Sequence, residues 1–175
     1  MTSPIAIRDG AVLRLARGED LEAVDRLTVE GYRAIQESYV SMIGAETYEA
    51  VRQEPELSWE ERKCAQNRRL FARHPEQVWV LEREGDVLGF VTFWLFPEQS
   101  YGHIDNNAVR SDLAGQGWAT FMYRHVLDRF RELASASRTS TPGSTTRTSR
   151  HGALTRPWAS TMPCPMSTTG RISRG

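Results

Sequence analysis

The sequence predicts an α+β domain, and three observations carry that prediction. Apolar residues recur at helical spacing from Asp20 to Arg73, strand-like runs replace them from Val78 to Val109, and a glycine turn at Gly115-Gln116-Gly117 then feeds a last amphipathic helix. The predicted order is β-α-α-α-β-β-β-α. At 175 residues the chain has room for one domain with a proper core.

Ala11 to Ala16 (AVLRLA) reads as a short, half-buried strand. The helix after it places Leu21, Val24, Leu27 and Ile35 on one stripe, with Asp20 as its N-terminal cap or first-turn acid. From Glu46 to Arg73 the pattern is again helical, interrupted near Pro55. Ser58 and Glu61 stand three residues apart, as in a capping box that starts a fresh helix.

Val78 to Glu82 and Val87 to Leu95 read as two strands of a hairpin around Arg83-Glu84-Gly85-Asp86. Tyr101 to Val109 is a third strand-like run. The final helix, about Gly117 to Ala134, carries Met122, Val126, Leu127, Phe130 and Leu133 on its apolar stripe. Strand, glycine turn and helix start together form a phosphate-binding layout. Helix N-termini present unpaired N–H groups and partial positive charge, and glycine lets a phosphate approach the backbone closely. Taken alone, a G-x-G is a weak signal, and the alternative is that Gly115 and Gly117 merely form a turn before a surface helix.

All 22 acidic residues lie at or before Glu132, and six arginines follow it, so the first part carries a net charge of −6 and the remainder +6. An acidic body argues against nucleic-acid binding, which uses a basic face. Cys64 and Cys164, the only cysteines, suggest neither a disulfide framework nor a zinc site, and a reducing cytoplasm suits them. No metal ion is expected. No apolar run approaches the ~20 residues that span a bilayer, so no membrane role is expected. Lys63 is the only lysine beside 21 arginines, a bias that usually reflects a GC-rich genome.

With strand, V-x-x-x-x-x-G-x-G-x-A and helix in place, Val109 to Thr120 resembles the acetyl-CoA motif of the GNAT superfamily of acyl-CoA-dependent N-acyltransferases. The resemblance covers roughly residues 10 to 134. It implies a central mixed, mostly antiparallel sheet flanked by helices and incomplete at the C-terminus. It further implies that Ala108 and Val109 hydrogen-bond the pantetheine arm of acetyl-CoA. The loop and first helical turn, Ala114, Gly115, Gln116, Gly117, Trp118, Ala119 and Thr120, would then hold its pyrophosphate. Ala114 departs from the family's usual Arg or Gln, at a cost of about 1 kcal/mol for one lost hydrogen bond.

The resemblance divides the chain into a truncated acetyltransferase-like domain, 1–134, and a Ser/Thr/Arg/Pro-rich tail, 135–175, that is disordered or out of frame. Codons read from their third base permit R-R-A-Y-A-A-M-G-F-D-H-A across His151 to Pro163. The G and the last A are forced by Trp158-Ala159 and Met162-Pro163. These resemble family elements in the expected order, and the rival reading is a genuine basic tail.

Acyl transfer from a thioester to an amine needs a positioned thioester, a base for the ammonium and an acid for the departing thiolate. Alternation predicts that Tyr101, His103, Asp105 and Asn107 share one strand face. His103 and Asp105 are the catalytic candidates. His103 is the base or simply an exposed strand histidine, and Asp105 a second base or an orienter of the substrate ammonium. Tyr32, Tyr39, Trp59, Trp79 and Trp94 line an acceptor site or fill core. The resemblance thus implies a cytoplasmic N-acetyltransferase acting on a primary amine of a small molecule or peptide, with a homodimer left open. The alternative is an inactive remnant or a domain that only binds acyl-CoA.

Overall fold

A hairpin at the start of the chain adds a strand that periodicity does not predict. In the computed structural model, which describes residues 4–51, 54–99 and 101–139, β1 (Ala6–Arg8) pairs antiparallel with β2 (Ala11–Leu15). Asp9 and Gly10 reverse the chain with φ of 47° and 75°. A two-residue hairpin turn needs such a left-handed pair, and Asp-Gly supplies it.

Three helices follow: α1 (Leu21–Ile43), α2 (Ala45–Val51) and α3 (Trp59–Arg73). The capping box at α3 forms as the sequence predicts. Ser58 Oγ accepts from the Glu61 N–H at 3.1 Å and Glu61 accepts from the Ser58 N–H at 2.8 Å. Along α1, Val24 and Leu27 are buried as expected, but Ile35 is 45% exposed and the buried positions further along are Thr28 and Gln36. Thr28 continues the stripe because its hydroxyl donates to the Val24 carbonyl at 2.7 Å, which satisfies it inside the core.

The strands β3 (Val78–Arg83) and β4 (Asp86–Phe96) form the predicted hairpin around Glu84 and Gly85, both at positive φ. β5 (Tyr101–Val109) pairs with β4, and α4 (Trp118–Thr139) closes the described part. The sheet order is β1-β2-β3-β4-β5, every pairing is antiparallel, and β1 and β5 are the edge strands among the described residues. The tail expectation lies outside the described residues, apart from 135–139, which continue α4.

Two cores sandwich the sheet. On one face Leu13, Leu81, Val91 and Phe93 pack with Trp118, Met122 and Val126 of α4. On the other, Val78, Val80, Phe90 and Ala108 pack with Val24 and Leu27 of α1 and Leu70 of α3. Each fully buried large side chain contributes about 1.5–3 kcal/mol. Leu127, expected on the apolar stripe of α4, is 42% exposed instead. It neighbours Val126 in sequence, and the contact arc of α4 is narrower than the sequence stripe.

α1 lies close against the end of β5. A Cβ on Gly31 would stand 2.9 Å from the Ala108 Cβ, so only glycine permits this approach. The helix layer is anchored to the sheet by a buried charge cluster. Arg14 of β2 donates to Asp20 at 2.7 and 2.9 Å and to Glu82 at 2.6 Å. Asp20 therefore does not cap α1 with its side chain, as the sequence suggests, but accepts from Arg14 and from the Arg17 N–H at 2.6 Å.

Candidate active site

The edge strand β5 runs directly into the glycine loop, and the loop's backbone geometry is unusual. A short turn at Ser111–Leu113 precedes Ala114, then Gly115 and Gly117 take φ of 76° and 79°, and α4 begins at Trp118. Both φ values lie where a side chain would be strained, which explains the two glycines. The first helical bond runs from the Phe121 N–H to the Gly117 carbonyl at 3.0 Å. The N–H groups of Trp118, Ala119 and Thr120 come before it and have no partner within the helix.

Arg8 fixes which way this loop faces. Its guanidinium donates to the Gln116 carbonyl at 3.0 Å and to the Gly117 carbonyl at 3.1 Å, and lies 4.4 Å over the Trp118 ring. In a trans peptide C=O and N–H point oppositely, so holding these carbonyls turns the Gly117 and Trp118 N–H groups away from Arg8. The Trp118 side chain itself is buried in the α4-side core. Glu30 of α1 accepts from the Ser111 N–H at 3.0 Å, and Arg110 grips Asp112 at 2.6 and 2.9 Å, which tie down the start of the loop. Ala108 and Val109 pack their side chains into opposite cores, leaving only their backbone for a ligand.

A bulge interrupts β5 before the loop. Val91 pairs with Asn107 and Phe93 with Ile104, so Thr92 alone faces Asp105 and Asn106. The extra residue shifts the phase of alternation. Tyr101, His103 and Asp105 do share one face as expected, but Asn106 joins them and Asn107 moves by register to the face of Val109. The Thr92 hydroxyl repairs the ladder: it accepts from the Asn106 N–H at 2.9 Å and donates to the Asn106 carbonyl at 3.1 Å.

The two catalytic candidates sit differently. Asp105 is half-buried, and its Oδ2 accepts from the Gln66 amide and from the Trp94 indole N–H, each at 3.3 Å. His103 is exposed and stacks on Tyr101 with ring centroids 6.5 Å apart. Tyr101 in turn stacks on Phe96, and Phe96 on Trp94. Of the other aromatic residues, Trp79 fills core against Phe93 and Tyr39 is exposed. Tyr32 is half-buried, and burial raises its phenol above the ordinary value while the Asn107 N–H holds it back. Burial likewise pushes the Cys64 thiol up to about 11, so it is no ready nucleophile. Among the described residues no group of three or more His, Cys, Asp or Glu is placed to hold a metal ion.

The sequence model of the acetyltransferase (GNAT) family matches residues 44–153, a span that contains β5, the bulge, the loop and the start of α4. The chain belongs to the GNAT acetyltransferase family.

Its fold also resembles that of solved structures. One is the crystal structure of a Pyrococcus horikoshii protein assigned as an acetyltransferase: TM-score 0.53, 13% identity, 73% of this chain and 37% of that one covered. A weaker likeness is to N-acetylglutamate synthase from Neisseria gonorrhoeae complexed with coenzyme A and N-acetyl-glutamate: TM-score 0.45, 17% identity, 73% and 24% covered. This chain therefore spans about a third or less of the length of these two structures. No curated protein matches it. Among the described residues no helix is long and apolar enough to cross a membrane.

Several residues of this GNAT domain that shape the site carry no recognisable sequence motif. Arg8 belongs to the unpredicted β1. Lys63 of α3 donates to Asn106 Oδ1 at 2.9 Å and lies 4.7 Å over the Tyr32 ring. Asn106 then donates to Asn67, and Asn67 to Thr28, each at 2.9 Å, a buried polar chain linking the bulge to α3 and α1. Only one of these had a signal: Lys63 is the single lysine in an arginine-rich sequence.

Proposed function

We propose that this chain transfers an acetyl group from acetyl-CoA to a primary amine of a small molecule or peptide. The observation that carries this reading is the pinned loop. Arg8 holds two consecutive carbonyls so that the Gly117 and Trp118 N–H groups face outward beside the α4 N-terminus, a cradle suited to pyrophosphate. The residues fit the ligand: Gly115 is exposed, and a Cβ there would meet nothing within 4 Å. In this reading the N–H groups of Gly117, Trp118, Ala119 and Thr120 hold the pyrophosphate, with Ala114, Gly115 and Gln116 shaping the loop. The backbone of Ala108 and Val109 at the β5 edge holds the pantetheine arm. Bound there, acetyl-CoA would supply an acyl group as a thioester, whose C–S bond breaks as the acceptor nitrogen forms the new C–N bond.

Asp105 and His103 handle the acceptor amine, and coenzyme A departs as its thiolate. Asp105, held by two N–H donors, is oriented to receive the acceptor's ammonium, and His103 on the same face takes the proton that the amine must lose.

Titration calorimetry with acetyl-CoA tests the reading, with Gly117→Asp as the control. An aspartate there is strained at φ of 79°, and with its Cβ 3.6 Å from Arg8 Nη1 its carboxylate would draw Arg8 off the Gln116 and Gly117 carbonyls and undo the pinned cradle. Saturable binding that Gly117→Asp removes is the expected result, and unchanged affinity would show the loop to be misassigned. Thiol release with a panel of amines then separates transfer from binding alone.

A further inference from the structure

On the sheet face that carries Asp105, a cleft of about 550 Å³ opens between α1, α2 and α3, its charged and polar lining made by Gln36, Tyr48, Glu54, Arg62, Lys63, Gln66 and Arg69. It adjoins the bulge directly. Two of its lining residues hold the two bulged residues: Gln66 donates to Asp105 and Lys63 to Asn106. The cleft is electropositive within an acidic body. Arg69 is matched by Glu54 at 3.1 and 3.4 Å, whereas Lys63 touches only a neutral amide oxygen and an aromatic face. Among the described residues no carboxylate lies within ion-pair distance of it. The ammonium is half-buried, and burial depresses its pKa, opposed by the more distant Asp105. A desolvated cation without a counter-ion favours an anionic ligand.

We propose that this cleft receives the acceptor, and that the acceptor is a small zwitterion whose ammonium meets Asp105 and whose carboxylate meets Lys63. The inference rests on the acyl-transfer reading above and narrows its acceptor class. An amine without an anionic group leaves Lys63 uncompensated. An amino acid satisfies both charges at once.

The test pairs amino acids with their decarboxylated amines, using L-leucine, L-methionine and L-phenylalanine, whose amines keep no anionic group, on the full chain with coenzyme A present. At least one amino acid should bind about tenfold or more tightly than its amine, the scale of one charge-assisted hydrogen bond. Lys63→Gln should abolish that preference, and Lys63→Arg, which keeps the charge, should restore part of it. Thermal denaturation of each variant verifies that the fold survives. Equal affinity within every pair, no binding of any amino acid, or a preference that survives Lys63→Gln would each overturn the proposal. Thiol release, measured separately, judges the transfer reading: amino-acid binding without turnover defeats that reading and leaves the anion site standing, while turnover without carboxylate preference does the reverse.

Discussion

Arg8 and Gly117, 109 residues apart in sequence, meet through a hydrogen bond of 3.1 Å from guanidinium to carbonyl. The contact places the first strand of the chain in control of the loop that opens α4. Arg8→Met should keep the side chain's cover over Trp118 while freeing both carbonyls. Acetyl-CoA affinity is expected to fall about tenfold, equivalent to ~1.4 kcal/mol, because the N–H cradle loses its preset direction. Calorimetry measures this directly, and an unaltered Kd would mean that the loop holds its shape without Arg8.

Asp105 and His103 share a face but not an environment, so their variants should differ in kind. Asp105→Asn is expected to raise the acceptor KM more than it lowers kcat, since the ammonium loses its counter-charge. His103→Gln should lower kcat by about 10²–10⁴, the usual contribution of a positioned base. Steady-state kinetics with one turned-over amine separates the two. A His103→Gln enzyme with full kcat would reduce that histidine to a member of the aromatic row.

The Arg14 cluster makes stability depend on acid. Burial pushes the Asp20 carboxyl up, but hydrogen bonds from Arg14 and the Arg17 N–H outweigh it and hold the group below its ordinary value. The bond from Arg14 likewise lowers Glu82. A carboxylate with a depressed folded pKa contributes stability above its unfolded value, about 4, and loses it as pH falls through the folded one. Urea midpoints should therefore be level near neutrality and drop below about pH 4. Asp20→Asn should cost about 3–5 kcal/mol at pH 7, because Arg14 stays buried with half its partners gone, and the variant's acid slope should be shallower.

For the tail, resequencing of the gene decides between the two readings. A single-base change upstream of His151 should restore a frame that reads A-M-G-F-D-H-A across Arg156 to Pro163. Independent isolates that all encode the present tail in one intact frame would establish it as genuine.

Local chemistry was legible in the sequence because each signal is short-ranged. Ser58 and Glu61 announced the α3 cap, Gly85 the β3–β4 turn, and Gly115 and Gly117 the loop, since each depends on neighbours a few residues away. The run from Tyr101 to Val109 coincided with β5 for the same reason. Asp9-Gly10 carried an equally local hairpin signal, yet the three-residue β1 before it is too short for periodicity to detect.

By itself, then, the sequence determined the element types, the glycine loop and the kinship with GNAT acetyltransferases. Tertiary structure alone decided how the site is assembled. The β5 bulge exists through pairing with Thr92 of β4, and one inserted residue moved Asn107 off the predicted face and brought Asn106 onto it. Burial of Thr28 in place of Ile35, and the exposure of Leu127, depend on which arc of each helix meets the sheet. Arg8 on Gly117 and Lys63 on Asn106 are contacts between segments whose separation along the chain leaves no periodic trace. Alternation and helical spacing are properties of one element, whereas a site is a property of several elements packed together.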